Sequence, residues 1–194
     1  MTTYDAAEGT HFSHRDVEPM TGDLTEDGIA PDELRGLFRD HPSGVALITA
    51  DSGSGPVAMT ASSLFSVSAA PALIVFSAAE ASSSTPALLE ADTVVIHLLD
   101  EATHDLAILG ATSGIDRFAD RAAWARLATN EPYFLAPERR IRARVVKKVD
   151  AGAATLFVVH ALESSNSSAA EHDGRPLVYH NRTWHVLGDH SRLS

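Results

Sequence analysis

Cysteine is absent from this chain of 194 residues, which removes disulfides, thiolate nucleophiles, iron-sulfur clusters and cysteine-ligated zinc from consideration. Histidine and carboxylates are left as the metal ligands. No apolar run approaches the roughly 18 residues that a membrane-spanning helix needs. The opening MTTYDAAEGTHFSH lacks the basic-then-apolar order of a signal peptide, so a soluble, cytoplasmic protein is expected. Positive charge is also short. Lys and Arg total 15 against 26 Asp and Glu, a net charge of -11, which disfavours a broad phosphate-backbone contact, so nucleic acid is not an expected partner. No Walker or Rossmann glycine pattern occurs, so a dinucleotide would have to bind without a dedicated domain. The abundant serines form no nucleophile elbow, and a hydrolase reading has no support.

What is present is enough for one body. Hydrophobic residues make up 44% and mean hydropathy is -0.03, and a domain of this size hides roughly 70% of its unfolded surface. Residues 1 to 30 are rich in Asp, Glu, Gly and Thr without apolar periodicity, which predicts a flexible acidic arm ahead of a domain over 31 to 190. Pro31 and Asp32 open an amphipathic helix with Leu34, Leu37 and Phe38 on one face, ending near His41-Pro42.

The period then changes. Val45 to Thr49, the turn cluster Asp51 to Gly55, and Pro56 to Thr60 read as a hairpin. Further strands are expected at Leu73 to Phe76, Thr93 to Leu99, Ile141 to Val149, Thr155 to Leu162, Leu177 to Tyr179 and Thr183 to Leu187, with Asn181-Arg182 as the last tight connection. Two short helices are expected, one capped by Thr85 with Pro86 at its first position and one capped by Asp100 and closed by Gly110. The sum is a mainly β, antiparallel barrel with short helices.

Six motifs in register carry a family resemblance over about Leu34 to Leu187. They are Phe38 with Pro42-Ser43-Gly44-Val45, Met59-Thr60-Ala61-Ser62-Ser63, Val67-Ser68, Ser82-Ser83-Ser84-Thr85, Arg117-Phe118-Ala119, and Arg175-Pro176-Leu177-Val178-Tyr179-His180. The chain thereby resembles the flavin reductase family built on the FMN-binding split β-barrel. The resemblance implies a Greek-key-like homodimer that binds FMN or FAD, takes electrons from NADH or NADPH, and supplies reduced flavin to a partner monooxygenase.

Carried over residue by residue, it places Met59, Thr60 and Ala61 along the isoalloxazine and Ser62 and Ser63 at the ribityl and phosphate region. Ser82, Ser83, Ser84 and Thr85 stand before a helix where a phosphate would be welcome, although the same residues also suit an ordinary N-cap. Phe118 and His180 complete the cofactor-binding set. Two positions depart from the pattern. Glu80 and Ala81 stand where many relatives carry a basic residue, and Gly152-Ala153-Ala154-Thr155 replaces Gly-Asp-His-Thr, whose His faces the nicotinamide. A flavin-holding split barrel without nicotinamide reductase activity, or a flavoenzyme with another electron donor, are the alternatives these departures keep open. Gly188-Asp189-His190 repeats the missing triplet in what reads as a tail.

Two charged features complete the reading. Ten His are present, but His180 and His185 differ by an odd number and should face opposite sides unless the turn intervenes, so no metal site is expected. Arg139, Arg140, Arg142, Arg144, Lys147 and Lys148 hold six of the 15 basic residues. They read as a solvated sheet face, with attraction of the acidic arm as a further hypothesis.

Overall fold

The computed structural model describes residues 17–22, 28–165 and 174–193, so most of the expected arm lies outside the described residues. A two-residue strand, β1 (Val17–Glu18), precedes helix α1 (Pro31–Arg39) and the short β2 (Ser43–Gly44). Strands β3 (Ala46–Asp51), β4 (Pro56–Ala61), β5 (Phe65–Ala69) and β6 (Ala72–Ala79) lead into helix α2 (Thr85–Glu90) and β7 (Thr93–Leu98). Helix α3 (His104–Ala111), β8 (Trp124–Arg126), β9 (Pro132–Phe134), β10 (Arg140–Asp150), β11 (Ala154–Ser164), β12 (Leu177–His180) and β13 (Thr183–Val186) follow.

The main sheet runs β4-β3-β7-β10-β11-β6-β5, antiparallel throughout this path, with β1 added in parallel to β10. It wraps one interior. Ile48, Met59, Phe76, Ile96, Val145 and Phe157, from six different strands, meet in a single cluster, as a strongly coiled sheet requires. Phe76 and Phe157 are register partners whose rings stack at 5.0 Å. The outer side of β3 and β4 is buried too, under α3, β9 and β12, where Leu47, Ala58, Ala107, Phe134 and Leu177 form a second cluster. This double burial explains why Ala-Leu-Ile-Thr-Ala in β3 is continuously apolar or small instead of alternating.

His97 ties these layers together. Its ring is fully buried. Nδ1 lies 3.0 Å from the Leu47 carbonyl oxygen and Nε2 lies 3.1 Å from the Phe134 amide nitrogen. A carbonyl only accepts and an amide only donates, so the imidazole is the neutral tautomer with its proton on Nδ1. Burial pushes its pKa down to about 4, against a smaller upward pull from the Leu47 carbonyl.

Several expectations need correcting. The hydroxyls of Ser84 and Thr85 do not cap α2: Ser84 is the N-cap residue, yet the two hydroxyls donate to the carbonyls of Ala58 and Ala79 at 2.8 and 2.6 Å. Asp100 caps a short 3-10 turn at Glu101–Thr103 that precedes α3. Gly110 is not a helix stop but a contact point inside α3, since a Cβ there would sit 2.3 Å from Leu47 Cδ1 and 2.4 Å from Thr60 Oγ1.

The basic strand is not a uniformly solvated face. Arg142, with a side chain only 15% exposed, pairs at 2.7 Å with Glu131 at 5%. A bulge between Val145 and Lys147 then shifts the alternation so that Lys148 is buried, its ammonium donating to the Leu89 carbonyl. The described part of the arm does reach this strand. Val17 pairs with Lys148, and Glu18 contacts the Lys147 ammonium at 2.7 Å. Strands β1, β2, β5, β8 and β9 are additions to the expected set, because β5 is polar at alternate positions and the other four have only two or three residues each; β1 shows that the described part of the expected flexible arm is paired.

Candidate functional site

A groove of about 860 Å³ opens between the C-terminal half of α1, the loop after β4, and the β12–β13 hairpin. Pro42 and the extended backbone of β2 bring the end of α1 to β12, where Gly44 pairs with Val178 and Ser43 with Tyr179. The hairpin tip is fastened to the same helix end, because the Asn181 amide donates to the Arg39 carbonyl at 3.0 Å. Phe38, Leu64, Phe65 and Tyr179 supply apolar walls, and Ser62, Ser63 and His180 supply polar groups. Gly44 leaves open space where a Cβ would stand. That mixture suits a flat, mostly apolar ligand with polar edges.

The expected cofactor residues divide into three groups. Ser62, Ser63 and His180 line the groove together. Ser62 is exposed and its hydroxyl has no partner among the described residues. Ser63 Oγ accepts from the Ser77 amide at 2.9 Å, so it braces the β4–β5 corner against β6. Met59 and Ala61 point into the main interior, 7% and 3% exposed, and Thr60 donates to the Ala107 carbonyl of α3 at 2.7 Å. None of these three is among the residues that line the groove. Phe118 is 4% exposed and packs against Trp124 and Phe134, so its side chain belongs to the second cluster and not to the groove.

The serine run forms a separate polar spot. Ser83 is exposed, and Arg117 Nη1 stands 3.5 Å from its hydroxyl. The guanidinium is held in place by donation to the carbonyls of Leu109 and Thr112 at 3.2 and 2.6 Å. A cation therefore does accompany this run, although Glu80 and Ala81 occupy the adjacent chain positions. Sequence reading placed Arg117 in a motif without giving it this task; its neighbourhood depends on contacts between residues 34 positions apart.

The positions that lack the expected Asp-His form the turn into β11. The Ala153 carbonyl accepts from the Glu80 amide at 3.0 Å, and Gly152 has φ +72. Imidazoles stand instead at His41 and His180 in the groove. His180 and His185 have ring centroids 5.5 Å apart, because the hairpin pairs His180 with Thr183 and brings His185 back beside it; here the turn does intervene. Gly188-Asp189-His190 lies outside the groove, partly in a 3-10 turn at Asp189–Ser191. Among the described residues, no three His, Asp or Glu are grouped to hold a metal ion, and no helix is long and apolar enough to cross a membrane.

Residues 38–188 match the model of the flavin reductase like domain. An NADH:FMN oxidoreductase of Rhodococcus qingshengii is 43% identical over 158 residues, covering 79% of this chain and 80% of the relative. The FMN reductase (NADH) SmoA of Agrobacterium fabrum is 33% identical and covers 75% and 80%. Among solved structures, a flavin reductase domain protein from Arthrobacter sp. FB24 superposes with a TM-score of 0.75 at 26% identity, over 82% of this chain and 96% of that one. BorF, the flavin reductase component of a bacterial two-component tryptophan halogenase, gives a TM-score of 0.71 at 30% identity, over 82% and 99%.

Proposed function

This chain belongs to the flavin reductase-like family, and we propose that it reduces FMN with NADH and delivers the reduced flavin to a partner monooxygenase. The observation that carries the reading is the likeness to an NADH:FMN oxidoreductase at 43% identity over 158 residues, on a chain whose groove has apolar walls and polar edges. Relatives named as reductase components of trigonelline and 4-nitrophenol monooxygenases, at 31% and 27% identity, support the partner.

The flavin ring supplies the hydride chemistry when bound. The protein's own residues bind and orient. Ser62 offers a free hydroxyl at the groove edge, and His180 closes the opposite rim. Ser82, Ser83 and Arg117 receive the phosphate tail, where an anchored guanidinium offers charge-assisted hydrogen bonds. Two rings held face to face at reacting distance need little further assistance from the protein, which is why the absence of the Asp-His pair does not argue against the activity.

A second copy of the chain completes the site. Leu34, Leu37 and Phe38 on α1 are 46%, 65% and 64% exposed, and Phe65 and Val67 on β5 are 56% and 55% exposed. Large apolar groups so placed beside a ligand groove are expected at an interface between subunits. Steady-state oxidation of NADH with and without added FMN tests the function. The expected result is oxidation only when FMN is present, with Arg117→Ala raising the KM for FMN roughly tenfold, the worth of one charge-assisted contact. NADH oxidation that ignores added flavin would exclude this reading.

A further inference from the structure

The groove carries a charge pattern opposite to the rest of the molecule. The chain is net -11, yet the residues lining the groove include Arg35, Arg39, Arg182, His41 and His180 and no carboxylate. Arg35 pairs with Asp32 at 2.6 Å. Arg39 and Arg182 have no acidic partner among the described residues; both line the groove, and the Asn181 amide, one position before Arg182, binds the Arg39 carbonyl. The backbone adds an independent observation. Asn181 and Arg182 both lie in the left-handed region, at φ +47 and +61, the pattern of a two-residue hairpin turn whose second place favours glycine. An arginine there holds a strained conformation at the mouth of a ligand groove, which is where such strain gathers for functional reasons.

Resting on the reductase reading, we propose that Arg39 and Arg182 clamp the diphosphate of the nicotinamide dinucleotide. In the proposed function the flavin phosphate goes to Arg117, which stands beside Ser83, and neither of those residues lines the groove. Guanidinium groups bind phosphate oxygens in a planar, two-pronged geometry, and two of them match the two phosphates of a dinucleotide. The flat end of the cosubstrate then lies along the Tyr179 and Phe38 walls.

The test uses the full-length protein and ADP-ribose, which keeps the diphosphate and lacks the nicotinamide. Binding of ADP-ribose and, separately, of FMN is measured by titration calorimetry for the wild type, Arg182→Gly and Arg39→Gln. Arg182→Gly relaxes the turn, so its thermal unfolding midpoint should hold or rise, which separates lost binding from lost folding. The expected result is a roughly tenfold weaker ADP-ribose affinity in each variant, with FMN affinity unchanged. KM for NADH should rise more than kcat falls. Unchanged ADP-ribose affinity would overturn the clamp, as would an equal loss for FMN, which would assign the arginines to the flavin phosphate. Wild-type protein that oxidises NADH with FMN but does not bind ADP-ribose would overturn the clamp and leave the reductase reading standing. Absence of that oxidation would remove the reading itself and the clamp with it.

Discussion

Helices α1 and α3 flank the same barrel on opposite principles. α1 has the clearer amphipathic pattern, with Leu34, Leu37 and Phe38 on one face, yet none of its residues is buried. α3 has the weaker pattern and is pressed so close to β4 that Gly110 leaves no room for a methyl group. An apolar face in a sequence states that something covers it, not that this chain does. The region under α3 is covered within one chain, whereas the apolar face of α1 is left exposed by the described residues, which is where the proposed function puts a second copy and the ligand.

The contrast can be broken from the covered side first. Replacing Phe157, which stacks on Phe76 inside the barrel, with Ala should cost about 3–5 kcal/mol in denaturant unfolding. A loss under about 1 kcal/mol would mean that the interior is not a single packed core.

His97 gives the next effect through pH. Its folded pKa is about 4 against an ordinary 6.5, so the unfolded chain binds the proton first as pH falls. Stability is therefore full above about pH 6.5 and declines toward pH 4, a total of roughly 3 kcal/mol by linkage. His97→Gln should remove this part of the pH dependence. A wild type and variant with parallel stability curves between pH 7 and 4 would show that His97 is not held neutral.

Gly110→Ala should destabilise by about 1–3 kcal/mol through overpacking against Leu47 and the Thr60 backbone, read as a lowered thermal midpoint. On the exposed side, Leu37→Asp should change the stability of the single chain by no more than about 0.5 kcal/mol, while light scattering shows dimers giving way to monomers. A dimer that survives the change would move the interface off α1. The smallest effect belongs to the arm. Glu18→Gln should cost no more than a few tenths of a kcal/mol, about what exposed ion pairs contribute, and the difference should vanish at high salt.

How much the sequence disclosed follows the same division. Strands with long apolar or β-branched stretches, such as β3, β6, β7 and β11, were legible to within about two or three residues, because burial leaves a mark at every other position or at all of them. Strand β5 was hidden, since its apolar Phe65 and Val67 face outward and alternate with serines. Of the residues that the resemblance placed at a cofactor, Ser62, Ser63 and His180 line the groove, whereas the side chains of Met59, Ala61 and Phe118 are buried and the Thr60 hydroxyl is bonded to α3, because a motif does not record which way each side chain points. The surroundings of Arg117, Arg39 and Arg182 are visible only in three dimensions. Each owes its surroundings to contacts across the chain, such as Arg117 to Ser83 and Arg39 to Asn181.

Anaerobic mixing of the protein with FMN and NADH, followed by the flavin's visible absorbance, tests the central claim most directly. Rapid bleaching that depends on the protein is the result expected of a reductase working without the Asp-His pair. Flavin that binds and keeps its colour under NADH, yet bleaches with dithionite, would contradict the account and leave a flavin-holding split barrel in its place.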